Sequence, residues 1–145
     1  MIFLAQYGFS MMPPEMAKKQ REDIIKSNPS VDDAYEYLFN LGTLGQNYRD
    51  IYLRIIVKDK NAEELLKILF KETKHNAAKI TTLEGLYHLN SPDYNKLKKK
   101  LRGEVTLFHG CYVASHNARK YFKKYESEMD RDSVEVFINQ SQNNL

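Results

Sequence analysis

Three helix-start signals recur at intervals of about 30 residues, and this period constrains the fold more than any other feature of the chain. Ser30 stands three residues before Asp33, Asn61 three residues before Glu64, and Ser91 directly before Pro92-Asp93. Each pairs a side chain able to accept from first-turn N–H groups with an acid that the positive end of the helix dipole favours. Helical spacing of apolar residues follows each start. Ala34, Leu38 and Leu41 run to a stop at Gly42, and a second helix over about 46–58 carries Tyr48, Ile51, Tyr52, Ile55 and Ile56. The next round has Leu65, Leu66, Ile68, Leu69 and Phe70, then Ile80, Leu83, Leu86, Tyr87 and Leu89. The third runs through Leu97 and Leu101 to Arg102-Gly103. Two helices of this length cannot bury an apolar face alone, so the period predicts stacked helical hairpins, about three of them. An additional helix precedes the first hairpin, entered through Pro13-Pro14 and ended at Ser27-Asn28-Pro29.

Composition agrees with this mostly all-α, helical-repeat-like fold. Six Gly and four Pro in 145 residues are too few for a chain that turns every ten residues or so, as an all-β domain must. The length suits one domain with one core. Its single cysteine, Cys111, allows no internal disulfide and leaves the compartment open. Met1-Ile2-Phe3-Leu4-Ala5 is apolar but lacks a basic flank and is shorter than a secretory h-region, so it reads as an arm packed on the domain. The chain as written is expected in the cytoplasm; a truncated signal peptide at this end would instead make it periplasmic or exported. No stretch approaches the ~20 apolar residues of a membrane span, and the expectation is a soluble protein.

The third hairpin breaks the pattern. From Glu104 to Val113 the residues alternate as in a strand or extended loop, so a short extended segment is expected near 104–113. A helix capped by Ser115 then sets Ala118, Tyr121, Phe122 and Tyr125 against Arg119, Lys120, Lys123 and Lys124. The helical domain is expected to span 1–126. Residues 127–145 turn acidic and then Asn/Gln-rich and read as a partly disordered tail, with a short helix or strand over Val134 to Ile138 as the alternative.

The run from Ala78 to Leu89, with Leu83, Gly85-Leu86-Tyr87 and Leu89, followed by Tyr94, Leu97, Val105 and Gly110-Cys111, resembles a loosely defined group of small, uncharacterised bacterial helical proteins. In that group a Gly-Leu helix precedes a Gly-Cys segment, often in exported chains. The resemblance covers roughly residues 45–113 and implies no activity and no catalytic residue.

Chemical signatures are sparse. His109-x-Cys111, with His116 nearby and His88 a hairpin earlier, offers one thiol where a zinc site wants about four ligands in close pairs. A Cys111 nucleophile with a histidine base and Asn117 as orienting amide is the catalytic alternative, outweighed by Cys111 as a small packing residue beside Gly110. His75 reads as a solvated or capping residue at a helix end. Asp32-Asp33 and Glu63-Glu64 sit in first turns, where the exposed N–H groups account for them. Phosphate-loop, dinucleotide, zincin and nucleophile-elbow motifs are absent, and Gly42-Thr43-Leu44-Gly45 reads as an interhelical turn. The expectation is therefore a non-enzyme with no cofactor and no metal.

Charge is the remaining signal. Between Tyr94 and Lys124 nine basic residues face one acid, Glu104, a block net of +8, whereas the segment from Tyr125 onward nets −4. The expected binding surface comprises Lys96, Lys99, Lys100, Arg102, His109, Cys111, Tyr112, Arg119, Lys120 and Lys123. Two functions suit it. The leading expectation is a protein-binding helical module, an adaptor or immunity-like inhibitor, with another protein as partner. The alternative is a nucleic-acid-binding protein using segment 94–124, with Tyr94, Tyr112 and Tyr121 among its lysines. Lysines as solvated helix faces, with an acidic tail folded back on them, would account for the same pattern structurally.

Overall fold

The computed structural model describes residues 13–45, 48–129 and 134–143; the apolar arm expected at Met1–Ala5 lies outside them. Eight helices and one β-hairpin are seen among these residues. Helix α1 (Pro14–Ser27) begins with proline in its first turn and ends at Asn28, whose left-handed φ of 51° precedes Pro29. It buries no side chain and is fastened by polar contacts. Arg21 donates to both carboxylate oxygens of Asp50, at 3.1 and 2.7 Å, and Tyr48 Oη donates to Gln20 Oε1 at 2.6 Å. Burial pushes the Asp50 carboxyl up, but hydrogen bonds and charge from Arg21 and Arg54 outweigh it and hold the group below the usual carboxylate range.

Helix α2 (Val31–Phe39) opens with the expected capping box: Ser30 Oγ accepts from Asp33 N at 3.0 Å, and Asp33 Oδ2 accepts from Ser30 N at 3.1 Å. It packs on α3 (Arg49–Val57), and α4 (Ala62–Glu72) packs on α5 (Asn76–His88), so the first two expected hairpins are present. At the Asn61 start the side chain makes no cap; Asp59 Oδ1 instead accepts from Asn61 N at 2.8 Å. Ile68, expected in the buried face of α4, is 48% exposed.

Helix α5 is the centre of the molecule. Ala78, Ile80, Thr81, Thr82, Leu83 and Leu86 are all fully buried, and α2, α3, α4 and β1 surround it. The Thr81 and Thr82 hydroxyls are accommodated by donating to the carbonyls of Ala77 and Ala78 one turn back, at 2.9 and 2.8 Å. Gly85 lets α3 and α4 close in: a Cβ there would lie 2.8 Å from Leu66 Cδ1 and 2.9 Å from Leu53 Cδ1.

The third unit is not a helical hairpin. Helix α6 (Tyr94–Lys98) has only five residues, entered by a turn in which Ser91 Oγ accepts from Asp93 N at 3.2 Å. Strands β1 (Glu104–His109) and β2 (Tyr112–Asn117) then form an antiparallel hairpin through a two-residue loop, with Gly110 at φ +61° as its first position. The extended segment thus runs four residues beyond the expected Val113. Ser115 lies inside β2, and Asn117 is the residue that caps α7 (Ala118–Glu128), its Oδ1 accepting from Lys120 N at 3.0 Å. Leu44 pairs with the free edge of β1: its N–H donates to Thr106 O at 2.9 Å and its carbonyl accepts from Phe108 N at 2.8 Å.

In the segment read as a tail, residues 134–143 form helix α8 (Val134–Asn143), which takes in the helix weighed as the alternative over Val134 to Ile138. Phe137 is buried at 3% exposure, stacks on His88 at 3.9 Å and lies under the Arg54 guanidinium, which donates to its carbonyl at 2.7 Å. A polar composition did not prevent docking, because Phe137, stacked on two partners, is joined on the core by Val134 and Ile138. Among the described residues, no helix is long and apolar enough to cross a membrane.

Candidate functional site: a basic face around α6

The expected basic residues divide over two grooves that flank α6. On one side Lys98, Lys99, Arg119, Lys120 and Lys123 rim a cavity of about 300 Å³ whose floor is Leu101 and Phe122. On the other, Lys96 and Lys100 join Lys67, Lys71 and Lys79 around a cavity of about 410 Å³ floored by Phe70 and Leu97. One carboxylate enters each groove, Glu126 in the first and Asp93 in the second. Lys67, Lys71 and Lys79 belong to α4 and α5 and were not anticipated; the spacing of Lys67 and Lys71 one turn apart was the only signal in the sequence.

The carboxylates account for little of this charge. Glu126 accepts from Lys98 Nζ at 2.8 Å and from the Tyr94 hydroxyl at 2.5 Å, while Asp93 and Glu64 each hold Lys67 at 3.0 Å. Hydrogen bonds to Asp93 and then Glu64 raise the Lys67 ammonium, keeping it charged. Among the described residues, neither Lys96, Lys99, Lys100, Arg119, Lys120 nor Lys123 has a carboxylate within 4.0 Å. Among the described acids of the segment from Tyr125 onward, Glu126 is the one that pairs with a lysine of this face. Arg102 is exposed and turns its guanidinium onto the carbonyls of Lys99 and Leu101, ending the α6 turn rather than lining a groove.

The aromatic residues expected among the lysines are mostly elsewhere. Tyr94 is buried at 6% exposure between Tyr87 and Phe122, and Tyr121 is half-buried against Tyr125. Only Tyr112, 64% exposed, presents its ring to solvent, and it does so on the β-hairpin. Cys111 is exposed in the hairpin loop, which removes the packing role expected of it. His109 and His116 meet on the hairpin with their Nε2 atoms 3.0 Å apart, while His75 is exposed at the start of α5. No group of three or more His, Cys, Asp or Glu side chains is placed to hold a metal ion among the described residues.

A second polar cluster is internal. Arg49 Nη1 donates to Glu84 Oε2 at 2.7 Å and to Thr81 Oγ1 at 3.3 Å, and Nη2 donates to the Tyr125 hydroxyl at 3.4 Å. Burial pushes the Tyr125 phenol up, and the Glu84 charge adds to it, to about 12. This cluster ties α3, α5 and α7 together. No protein-family model, curated protein or solved structure matches the chain.

Proposed function

We propose that the protein is a non-catalytic protein-binding module that receives an acidic, amphipathic segment of another protein on the face around α6. The observation that carries this reading is the build of the two grooves: apolar floors of Leu101 with Phe122 and of Phe70 with Leu97, each between lysine rims. Apolar floors reward burial of side chains, and the rims select carboxylates and exclude basic competitors. A phosphate backbone would use only the rims, and the burial of Tyr94 removes from the face a ring on which a base would stack.

A labelled acidic amphipathic helical peptide and a labelled oligonucleotide, DNA or RNA, titrated in parallel at low and high salt, test this. The peptide should bind more tightly and retain part of its affinity at high salt through the apolar floor. Lys99→Glu with Lys120→Glu, and Lys71→Glu with Lys100→Glu, should each weaken it at least about tenfold, the usual consequence of about 1.4 kcal/mol lost. Tighter oligonucleotide binding that collapses with salt, unaffected by polar replacement of Phe70 or Leu97, would establish the counterion-release mechanism instead and overturn the proposal.

A further inference from the structure

We propose that the β-hairpin carries a divalent transition-metal site made by His109 and His116, with copper(II) as the ion it fits best. The two imidazoles come from opposite strands. In the observed register His109 faces Tyr112 and Val105 faces His116, so both histidines lie on the face shared by Val105, Leu107 and Ala114. The small Ala114 side chain lies between them along that face, and the rings meet across it at a centroid distance of 5.2 Å. His109 is also set by its neighbour, stacked on Tyr112 at 5.5 Å and 28°. The pair is therefore held by strand register and a stacking contact, a degree of preorganisation that two histidines on mobile loops would lack.

The decisive quantity is the Nε2···Nε2 distance of 3.0 Å. At metal–imidazole bonds of about 2.0–2.1 Å, an ion bound to both nitrogens at that separation subtends about 91–97°. This is the cis angle of a tetragonal copper(II) or nickel(II) centre, reached when both rings turn from the head-on contact that the 5.2 Å centroid distance records; a tetrahedral zinc ion would in addition require the nitrogens to open to about 3.3–3.4 Å. Both Nε2 lone pairs must face the ion, so each ring carries its proton on Nδ1 in the complex, a change of tautomer with no net proton release when the pair starts neutral. No third side chain joins them among the described residues, and water completes the coordination. Bridging the strands with an ion would also pin the hairpin, whose loop is open to solvent around Gly110 and Cys111.

The test is metal titration of the untagged protein followed by calorimetry and by electron paramagnetic resonance of the copper complex. One saturable site should appear, with copper(II) tighter than nickel(II) and nickel(II) comparable to or tighter than zinc(II). Its spectrum should show two coupled imidazole nitrogens, and amide exchange should slow in β1 and β2. His109→Ala and His116→Ala should each abolish the saturable site and leave one coupled nitrogen or none, while His75→Ala leaves it intact. Both variants replace side chains on the hairpin surface, and circular dichroism of each confirms that the fold survives. Absence of a stoichiometric site in the native chain, survival of the site in either hairpin variant, or its loss in Cys111→Ser would overturn the assignment.

Discussion

Replacing Glu84 by Gln tests whether the internal Arg49 cluster is a structural keystone. The substitution keeps the shape of the side chain but removes the carboxylate that accepts from Arg49 at 2.7 Å. Breaking one side of a fully buried pair costs about 3–5 kcal/mol, because the remaining charge stays in a poorly solvated place. Here the Arg49 and Glu84 side chains keep 17% and 14% of their exposure, so water recovers part of that and the expected loss is about 2–4 kcal/mol. For 145 residues this corresponds to a fall in Tm of about 6–12 °C. Urea unfolding followed by circular dichroism measures the free energy, and a thermal scan measures Tm. The double variant Arg49→Met with Glu84→Leu should recover most of the loss, since an apolar pair carries no desolvation cost. If Glu84→Gln costs less than about 1 kcal/mol, or the double variant is as unstable as the single one, Arg49 is adequately solvated and the reasoning fails.

The remaining predictions concern the caps and the alkaline limit. Ser30→Ala should cost about 1 kcal/mol in equilibrium unfolding because it opens a complete capping box, whereas Asn61→Ala should cost only a few tenths because no side-chain cap exists there; equal losses would contradict the observed geometry. Tyr125 has its folded pKa raised to about 12. The stability it contributes is thus fully present below the ordinary tyrosine value of about 10 and is lost as pH rises through about 12. Spectrophotometric phenolate titration should show a late step that Tyr125→Phe deletes and Glu84→Gln moves to lower pH; an unchanged titration in both variants refutes this.

Local signals were legible where the deciding contact is local. Ser30 and Asp33 are three residues apart and need only each other, so their reciprocal cap could be read directly. Asn61 satisfies the same pattern but sits at φ −101° and ψ 21°, away from the extended geometry that aims a cap side chain at the first turn, while Asp59 takes up its N–H. Strand β2 could not be followed past Val113 because Ala114 to Asn117 are polar or small; pairing with β1 makes them a strand, and Leu44, over 60 residues away in sequence, fixes the far edge. The helix over Val134–Asn143 depends likewise on Phe137 finding His88 and Arg54. The basic residues of 94–124 were visible as a run, but Lys67, Lys71 and Lys79 reach the face only because α4 and α5 pack beside α6.

The interruption of the third unit is itself what creates the candidate site. In a regular stack the second helix of a pair lies along the first and covers its flank. Here Gly103, at φ +85°, turns the chain out of α6, Asn76 Nδ2 holds the carbonyls of Arg102 and Glu104 at 2.6 and 2.8 Å, and the hairpin is spent before α7 begins. Helix α7 returns to α6 through Phe122 on Tyr94 and through Glu126 at Tyr94 and Lys98, contacts that close one end of the interface. The apolar flanks that a full-length partner helix would have covered remain as the floors at Leu97 with Phe70 and at Leu101 with Phe122. Like charge around both floors opposes their approach to a second copy of the same face. On the proposed reading the same lysines would favour an acidic partner, so one arrangement of charge around the exposed floors would both oppose self-association and select what covers them.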